Sequence, residues 1–274
     1  MCDRDFDRRE FLAAAPAAGL LLASSKAEST EESAPKKTLL FIGAHRDDAE
    51  FGAGGLMLKA LAAGHRIVVI QAVSDYSNWP PTIGKEAKVA AATQKIARDM
   101  GVEKIELGYK YHRAPVDDEI KTRIARIVDD IKPDIALVMT ETDYWTDHAN
   151  IARAGKDGVM FAHGYLGRTV KQPEWILAYA AGFNQTYEFQ PDVFVDTTEV
   201  VEDVARLWYD MAGALVEGKP SILGTLTLRG AKKPMELTGH GEQVLAAQCR
   251  WGAMCGVHYA DAFRAIKRPA GQLW

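Results

Sequence analysis

An α/β fold, a mostly parallel sheet with helices on both faces, is what the sequence predicts, and three observations carry the prediction. Short apolar runs at residues 38–42 and 135–139, and a stretch rich in β-branched residues at 66–73, read as buried strands. Between them apolar side chains recur at helical spacing, most clearly Ile120, Ile124, Ile127 and Ile131. Strand and helix then alternate from residue 38 to residue 139, the pattern of parallel strands joined by crossover helices. In a Rossmann-like sheet of this kind ligands bind beyond the carboxyl ends of the strands. The segments that follow each strand are therefore where chemistry is expected.

The chain is predicted to divide at residue 36, into an export signal with linker (1–36) and one enzyme domain (37–274). Asp7-Arg8-Arg9-Glu10-Phe11-Leu12 opens a nearly uncharged segment that ends in Ser25-Lys26-Ala27, a small-residue cleavage region. This resembles a twin-arginine export signal. The apolar run at 11–23 is shorter than the ~20 residues that span a bilayer, so no permanent membrane anchor is expected. Export to the periplasm is the expectation. Asp3, Asp5 and Asp7 offset the arginines, however, and a cytoplasmic chain with a short amphipathic tail is the alternative.

Within the domain, the strand at 38–42 runs into Ala44-His45-Arg46-Asp47-Asp48-Ala49-Glu50. A helix starts in or just after this acidic run, because Phe51, Leu58, Leu61 and Ala62 share a face that Gly64 closes. A first helical turn puts His45 and Asp48 on one side with Asp47 on their flank. Acidic residues here also suit a plain helix cap. Gly54 and Gly55 let the helix approach the sheet. No G-x-G-x-x-G is present, which excludes a dinucleotide site. The strand at 66–73 opens into a turn-rich aromatic loop containing Tyr76 and Trp79. A helix at about 85–100, a strand at 104–107, a helix at 117–131 and the strand at 135–139 follow. Beyond that strand, Asp143-Tyr144-Trp145-Thr146-Asp147-His148 faces the same edge as His45, ahead of a helix at 150–161. The remainder reads as an element at 175–180, a strand at 193–195, a helix near 200–217, a last helical region at 242–266 and a fraying tail.

Composition narrows the function. With 47% apolar and 26% charged residues the chain suits one sizeable globular domain, and no internal repeat is found. A net charge of -4 and a pI near 6.0 exclude the basic footprint of a nucleic-acid partner. Cys2 would leave with the signal, while Cys249 and Cys255 read as buried free thiols. On a helix their six-residue separation is about 9 Å, beyond the ~7 Å a disulfide spans. A homo-oligomer is compatible with the sequence.

His45, Asp48 and His148 offer two imidazoles and a carboxylate, which suits catalytic zinc holding one position open for water. Another divalent metal such as Fe2+ is compatible. Asp47, beside the dication, can take a proton from the attacking water. The chemistry indicated is metal-assisted amide hydrolysis.

At these residues the sequence resembles the PIG-L/LmbE-like zinc-dependent N-deacetylases. Their A-H-P-D-D-x-E motif corresponds to Ala44 through Glu50, their K-P-D to Lys132-Pro133-Asp134, and their D-H to Asp147-His148. Two carboxy-terminal signatures correspond to the segments 189–196 and 259–263. The resemblance implies an LmbE-like single domain, with His45, Asp48 and His148 as zinc ligands and Asp47 as base. It also implies removal of acetyl groups from N-acetylglucosamine moieties on a small molecule or glycan. Two departures stand out. Arg46 replaces the motif's proline, and Trp145 replaces a histidine that the family's H-x-D-H pattern credits with stabilising the oxyanion. The family's R-x-x-E pair has no clear match either, with Lys85 and Lys88 nearby. Arg46, Tyr144, Trp145 and Asp147 are the expected substrate contacts. A zinc hydrolase of another N-acyl amide, or an exported sugar-binding protein whose catalysis has decayed, are the alternatives.

Overall fold

The computed structural model describes residues 20–21, 35–181, 188–216, 222–226 and 234–269. Apart from residues 20–21, 35 and 36, the export segment expected at 1–36 lies outside them. In chain order the elements are β1 (Leu20–Leu21), β2 (Thr38–Gly43), α1 (Asp48–Ala62), β3 (Arg66–Asp75), α2 (Glu86–Met100), β4 (Glu103–Lys110), α3 (Asp118–Ile131) and β5 (Ile135–Met139). Next come α4 (Thr146–Met160), α5 (Ala162–Leu166), β6 (Trp175–Tyr179), β7 (Val193–Asp196), α6 (Val201–Val216), β8 (Ile222–Leu226), β9 (Met235–Thr238), α7 (Gly239–Cys255) and β10 (Ala260–Lys267).

The sheet has the order β1-β7-β10-β6-β5-β2-β3-β4, with the five strands from β6 to β4 parallel. Strand β2 lies inside that parallel block, and Leu40, Phe41 and Ile42 have no exposed surface. The expected single α/β domain is thus present. Helices α1, α2 and α7 pack with α6, while α3, α4 and α5 pack together apart from them. Among the described residues no helix is long and apolar enough to cross a membrane.

Three expectations are corrected. The last helical region is two elements: α7 stops at Gly256, whose φ of +81° ends the helix in a left-handed cap. Residues 260–267 then form β10, antiparallel to both β6 and β7. Its first half, Ala260-Asp261-Ala262-Phe263, is buried throughout, so no in-out alternation marks it as a strand. The β8–β9 hairpin was not anticipated. Cys249 and Cys255 are free, but Cys249 is exposed and Cys255 half-buried.

Helix α1 is two helical pieces joined at Ala53, whose φ of -151° and ψ of 27° are not helical. A helix restarted in the interior needs partners for its first N–H groups. Asp261 of β10 supplies them: its Oδ2 accepts the Leu56 N–H at 2.7 Å, and its Oδ1 accepts Gln248 Nε2 at 2.6 Å. Burial pushes the Asp261 carboxyl up to about 6 in spite of these donors. A side chain at Gly55 would prevent the contact, since its Cβ would lie 2.2 Å from Thr197 Cγ2 and 2.9 Å from Asp261 Oδ2. Gly55→Ala is therefore expected to lower stability by about 1–3 kcal/mol through overpacking. Gly164→Ala, on a helix with open space at the Cβ, is expected to be neutral or stabilising by up to about 1 kcal/mol. Urea unfolding midpoints check both, and equal midpoints would contradict the account.

Candidate active site

Residues 44–47 bend away from the end of β2 before α1 begins. The bend is held from inside the protein. Lys104 Nζ donates to the Arg46 carbonyl at 2.6 Å and pairs with Glu50 Oε1 at 2.8 Å, with both charged side chains only 1% exposed. Removing either partner would strand a buried charge. The His45 N–H donates to Asp48 Oδ2 at 2.6 Å and closes the turn. From the neighbouring strand, β5 leads through residues 140–145 into α4. That helix starts at Thr146 rather than at the expected residue 150, so His148 stands in its first turn.

Three side chains from these two loops converge. His45 Nδ1 lies 2.9 Å from His148 Nε2, and Asp48 Oδ1 is 3.3 Å from His148 Nε2 and 3.8 Å from His45 Nδ1. One ligand atom from each, all within 4.8 Å of one another, gives a set that could hold a metal ion. The far nitrogen of each imidazole faces a carboxylate: Asp147 Oδ2 is 3.1 Å from His45 Nε2, and Asp143 Oδ2 is 2.6 Å from His148 Nδ1. Such partners fix ring orientation and leave the inner nitrogen to face a cation. The donor set and its backing fit a divalent metal.

The electrostatics agree. Burial alone would lower both histidines, but Asp147 and Asp48 raise His45 to about 9, and Asp48 and Asp143 raise His148 to about 10. Burial would raise Asp48, yet the two imidazoles hold it well below its ordinary 3.8. The pocket of carboxylates therefore favours positive charge. Two nitrogens 2.9 Å apart cannot both present a proton to each other, so the histidines share one on that line. Asp47 behaves differently. Burial and then repulsion from Asp48 push it up to about 6. It occupies the N-cap position of α1, but its side chain makes no capping hydrogen bond.

The expected substrate contacts fare unevenly. Asp147 is a correction: it has no exposed surface, and besides His45 it accepts the His112 N–H at 2.7 Å and the Ala114 N–H at 3.1 Å. It orients His45 and cannot reach a substrate. Arg46 is also inward, 3% exposed, with its guanidinium 4.0 Å from the centre of the Tyr76 ring and Nη2 near the Ser74 carbonyl. Its Nε and Nη1 find no hydrogen-bond partner, so it packs against the aromatic loop instead of facing solvent. Tyr144 is 69% exposed at the rim. Trp145 lies between rim and ligands, its ring 6.0 Å from that of His148, with a buried Nε1 that has no partner. Tyr76 and Tyr111 complete an aromatic wall, their ring centres 6.3 and 5.4 Å from His45. Sequence reasoning missed Asp143 and Lys104. Asp143 was within reach of it, as an acid just past a strand end and five residues before His148.

A paired-histidine, single-aspartate site beyond the carboxyl ends of two adjacent parallel strands defines a candidate mononuclear metalloenzyme. The sequence model of the family described as PIG-L, GlcNAc-PI de-N-acetylase, matches residues 40–159. The matched segment contains every candidate ligand. Solved structures share the fold at low identity. The conserved protein TT1542 from Thermus thermophilus is 18% identical with a TM-score of 0.68, covering 87% of this chain and 98% of its own. The N,N'-diacetylchitobiose deacetylase from Pyrococcus horikoshii is 18% identical with a TM-score of 0.63, covering 87% and 89%. The 4-carboxy-2-hydroxymuconate hydratase GalB from Pseudomonas putida is 18% identical with a TM-score of 0.65, covering 87% and 99%.

Because metal must displace the proton held between the histidines, binding is expected to release about one proton or more per metal near neutral pH. Calorimetric titration of Zn2+ in buffers of different ionisation enthalpy checks this. Binding heats independent of the buffer would contradict it.

Proposed function

We propose that this chain is a zinc-dependent hydrolase that removes the N-acetyl group from an N-acetylglucosamine-type amino sugar or its conjugate. His45, Asp48 and His148 hold the metal and Asp47 is the general base. When bound there, a divalent metal would supply Lewis-acid polarisation to an acyl carbonyl and to the attacking water. Asp47 accepts the proton of that water, the carbonyl carbon gains an oxygen, and the C–N bond breaks to leave acetate and an amine. The observation that carries the reading is Asp47 itself, an acid at a helix start that does not cap the helix and stands beside three convergent ligands. Fold alone does not choose the reaction, since the same architecture serves a deacetylase and a hydratase at equal identity. The PIG-L domain and the base favour deacetylation.

Supporting an amino-sugar substrate, half-buried Trp145 stands beside His148 and His45, with exposed Tyr144 next to it. Aromatic faces pack well against the apolar faces of sugar rings, and their polar edges hydrogen-bond. Beside the first turns of α1, a cavity of about 310 Å³ walled by Phe51, Gly52, Ala181 and Trp251 has room for the remainder of a conjugate. Export belongs to the same proposal, from the paired Arg8 and Arg9 ahead of an apolar run.

Asp47→Asn is expected to keep about one metal per chain while lowering kcat for acetate release by about 10²–10⁴-fold. Metal analysis and an acetate assay on N-acetylglucosamine and its conjugates check this; undiminished activity in metal-free protein would overturn it. Acetate released from aryl acetamides but from no sugar would move the substrate class. For export, fractionation of the native cell should find a mature chain lacking the first residues outside the cytosol, and an intact chain in the cytosol would refute it.

A further inference from the structure

Hydrolysis of an alkyl amide needs a second proton transfer, to the nitrogen that departs. Asp147 and Asp143 are committed to the histidines, and the Trp145 indole can donate a hydrogen bond but cannot give up its proton. One further imidazole stands at this edge. His112 follows β4, and its ring stacks on Trp145 with centroids 5.7 Å apart and planes 8° from parallel. The ring of its chain neighbour Tyr111 is 4.2 Å away, and Tyr111 in turn lies 5.4 Å from His45.

Two further features single it out. His112 has a φ of +59°, one of two non-glycine residues in the left-handed region among those described. Such a backbone persists where its surroundings enforce it. Here the enforcing group is Asp147, whose Oδ2 accepts the His112 N–H at 2.7 Å and also faces His45 Nε2 at 3.1 Å. One carboxylate oxygen thus ties the turn that presents His112 to the candidate metal ligand. His112 is also exposed, whereas His148 is buried. It can be reloaded from solvent between turnovers.

We infer that His112 is the general acid that protonates the departing amine. This rests on the hydrolase reading above. As the C–N bond breaks, its electron pair takes the proton from the His112 imidazolium; the neutral imidazole then regains a proton from water, and Asp47 returns to solvent the one it took from the attacking water.

The test uses full-length, metal-loaded protein, with N-acetylglucosamine and N,N'-diacetylchitobiose as substrates. His112→Asn preserves a residue that tolerates positive φ. It should lower kcat by about 10²-fold or more, with KM within about twofold of wild type and unchanged metal content. His112→Gly keeps the backbone and opens space on the Trp145 face, so imidazole added to the medium should restore part of its lost turnover. Unchanged kcat in His112→Asn would overturn the assignment and leave both transfers to Asp47. Loss of turnover without rescue by imidazole would overturn it too, reducing His112 to a positioning residue acting through Trp145. No acetate from the wild type on either substrate would fell the hydrolase reading and this inference with it, whereas an active His112→Asn fells this one alone.

Discussion

A surplus of buried negative charge organises this molecule. Asp48, Asp143 and Asp147 converge on two imidazoles whose facing nitrogens are 2.9 Å apart, and positive charge has to occupy the space between them. Without a metal the two histidines share a proton there, against the cost of burial. With one, the same carboxylates turn each ring to present its inner nitrogen. Both strand-to-helix turns depend on this arrangement, the one after β2 bringing His45 and Asp48 and the one after β5 bringing His148.

The supports around the site are mostly electrostatic and come from a distance. Lys104 on β4 fixes the bend that carries His45 by holding a carbonyl on one side and Glu50 on the other. Glu50's own carbonyl accepts the Trp208 Nε1 proton at 3.0 Å, which joins α6 to the same turn. A buried pair of this type is costly to break and adds little net stability when intact. Its effect is positional. Burial and repulsion from Asp48 push Asp47 up to about 6 while the two imidazoles hold Asp48 well below its ordinary value, so two adjacent carboxylates of the same residue type have opposite tendencies.

Much of this was legible in the sequence, for identifiable reasons. Parallel strands buried on both faces write continuous apolar runs, and helices write their period, so the elements from β2 to α4 could be read directly. The convergence of His45 with His148 followed from the rule that such sheets bind ligands at their carboxyl edge. What escaped was set by pairing across long stretches of chain. Asp261 looks like one residue of a weak helix until β10 is seen between β6 and β7, and Lys104 looks like an ordinary charge at a strand start. The inward turn of Arg46 was not legible, since spacing gives a residue's position along the backbone and says nothing of the packing that draws its guanidinium over Tyr76. His112 was overlooked although the edge rule covers it, because a single histidine in a turn carries no pattern of its own.

The clamp between Asp261 and Leu56 joins residues 205 positions apart. During synthesis the front of the molecule therefore emerges long before the group that braces its first helix. The segment bearing every candidate ligand has to wait, in a ribosome's time, for the last sheet strand before its helix is held at the break. Contacts of such long range form slowly, which makes assembly of the metal pocket a late event. A chain cut short before β10 would carry every candidate ligand and lack the brace that holds α1 at its break.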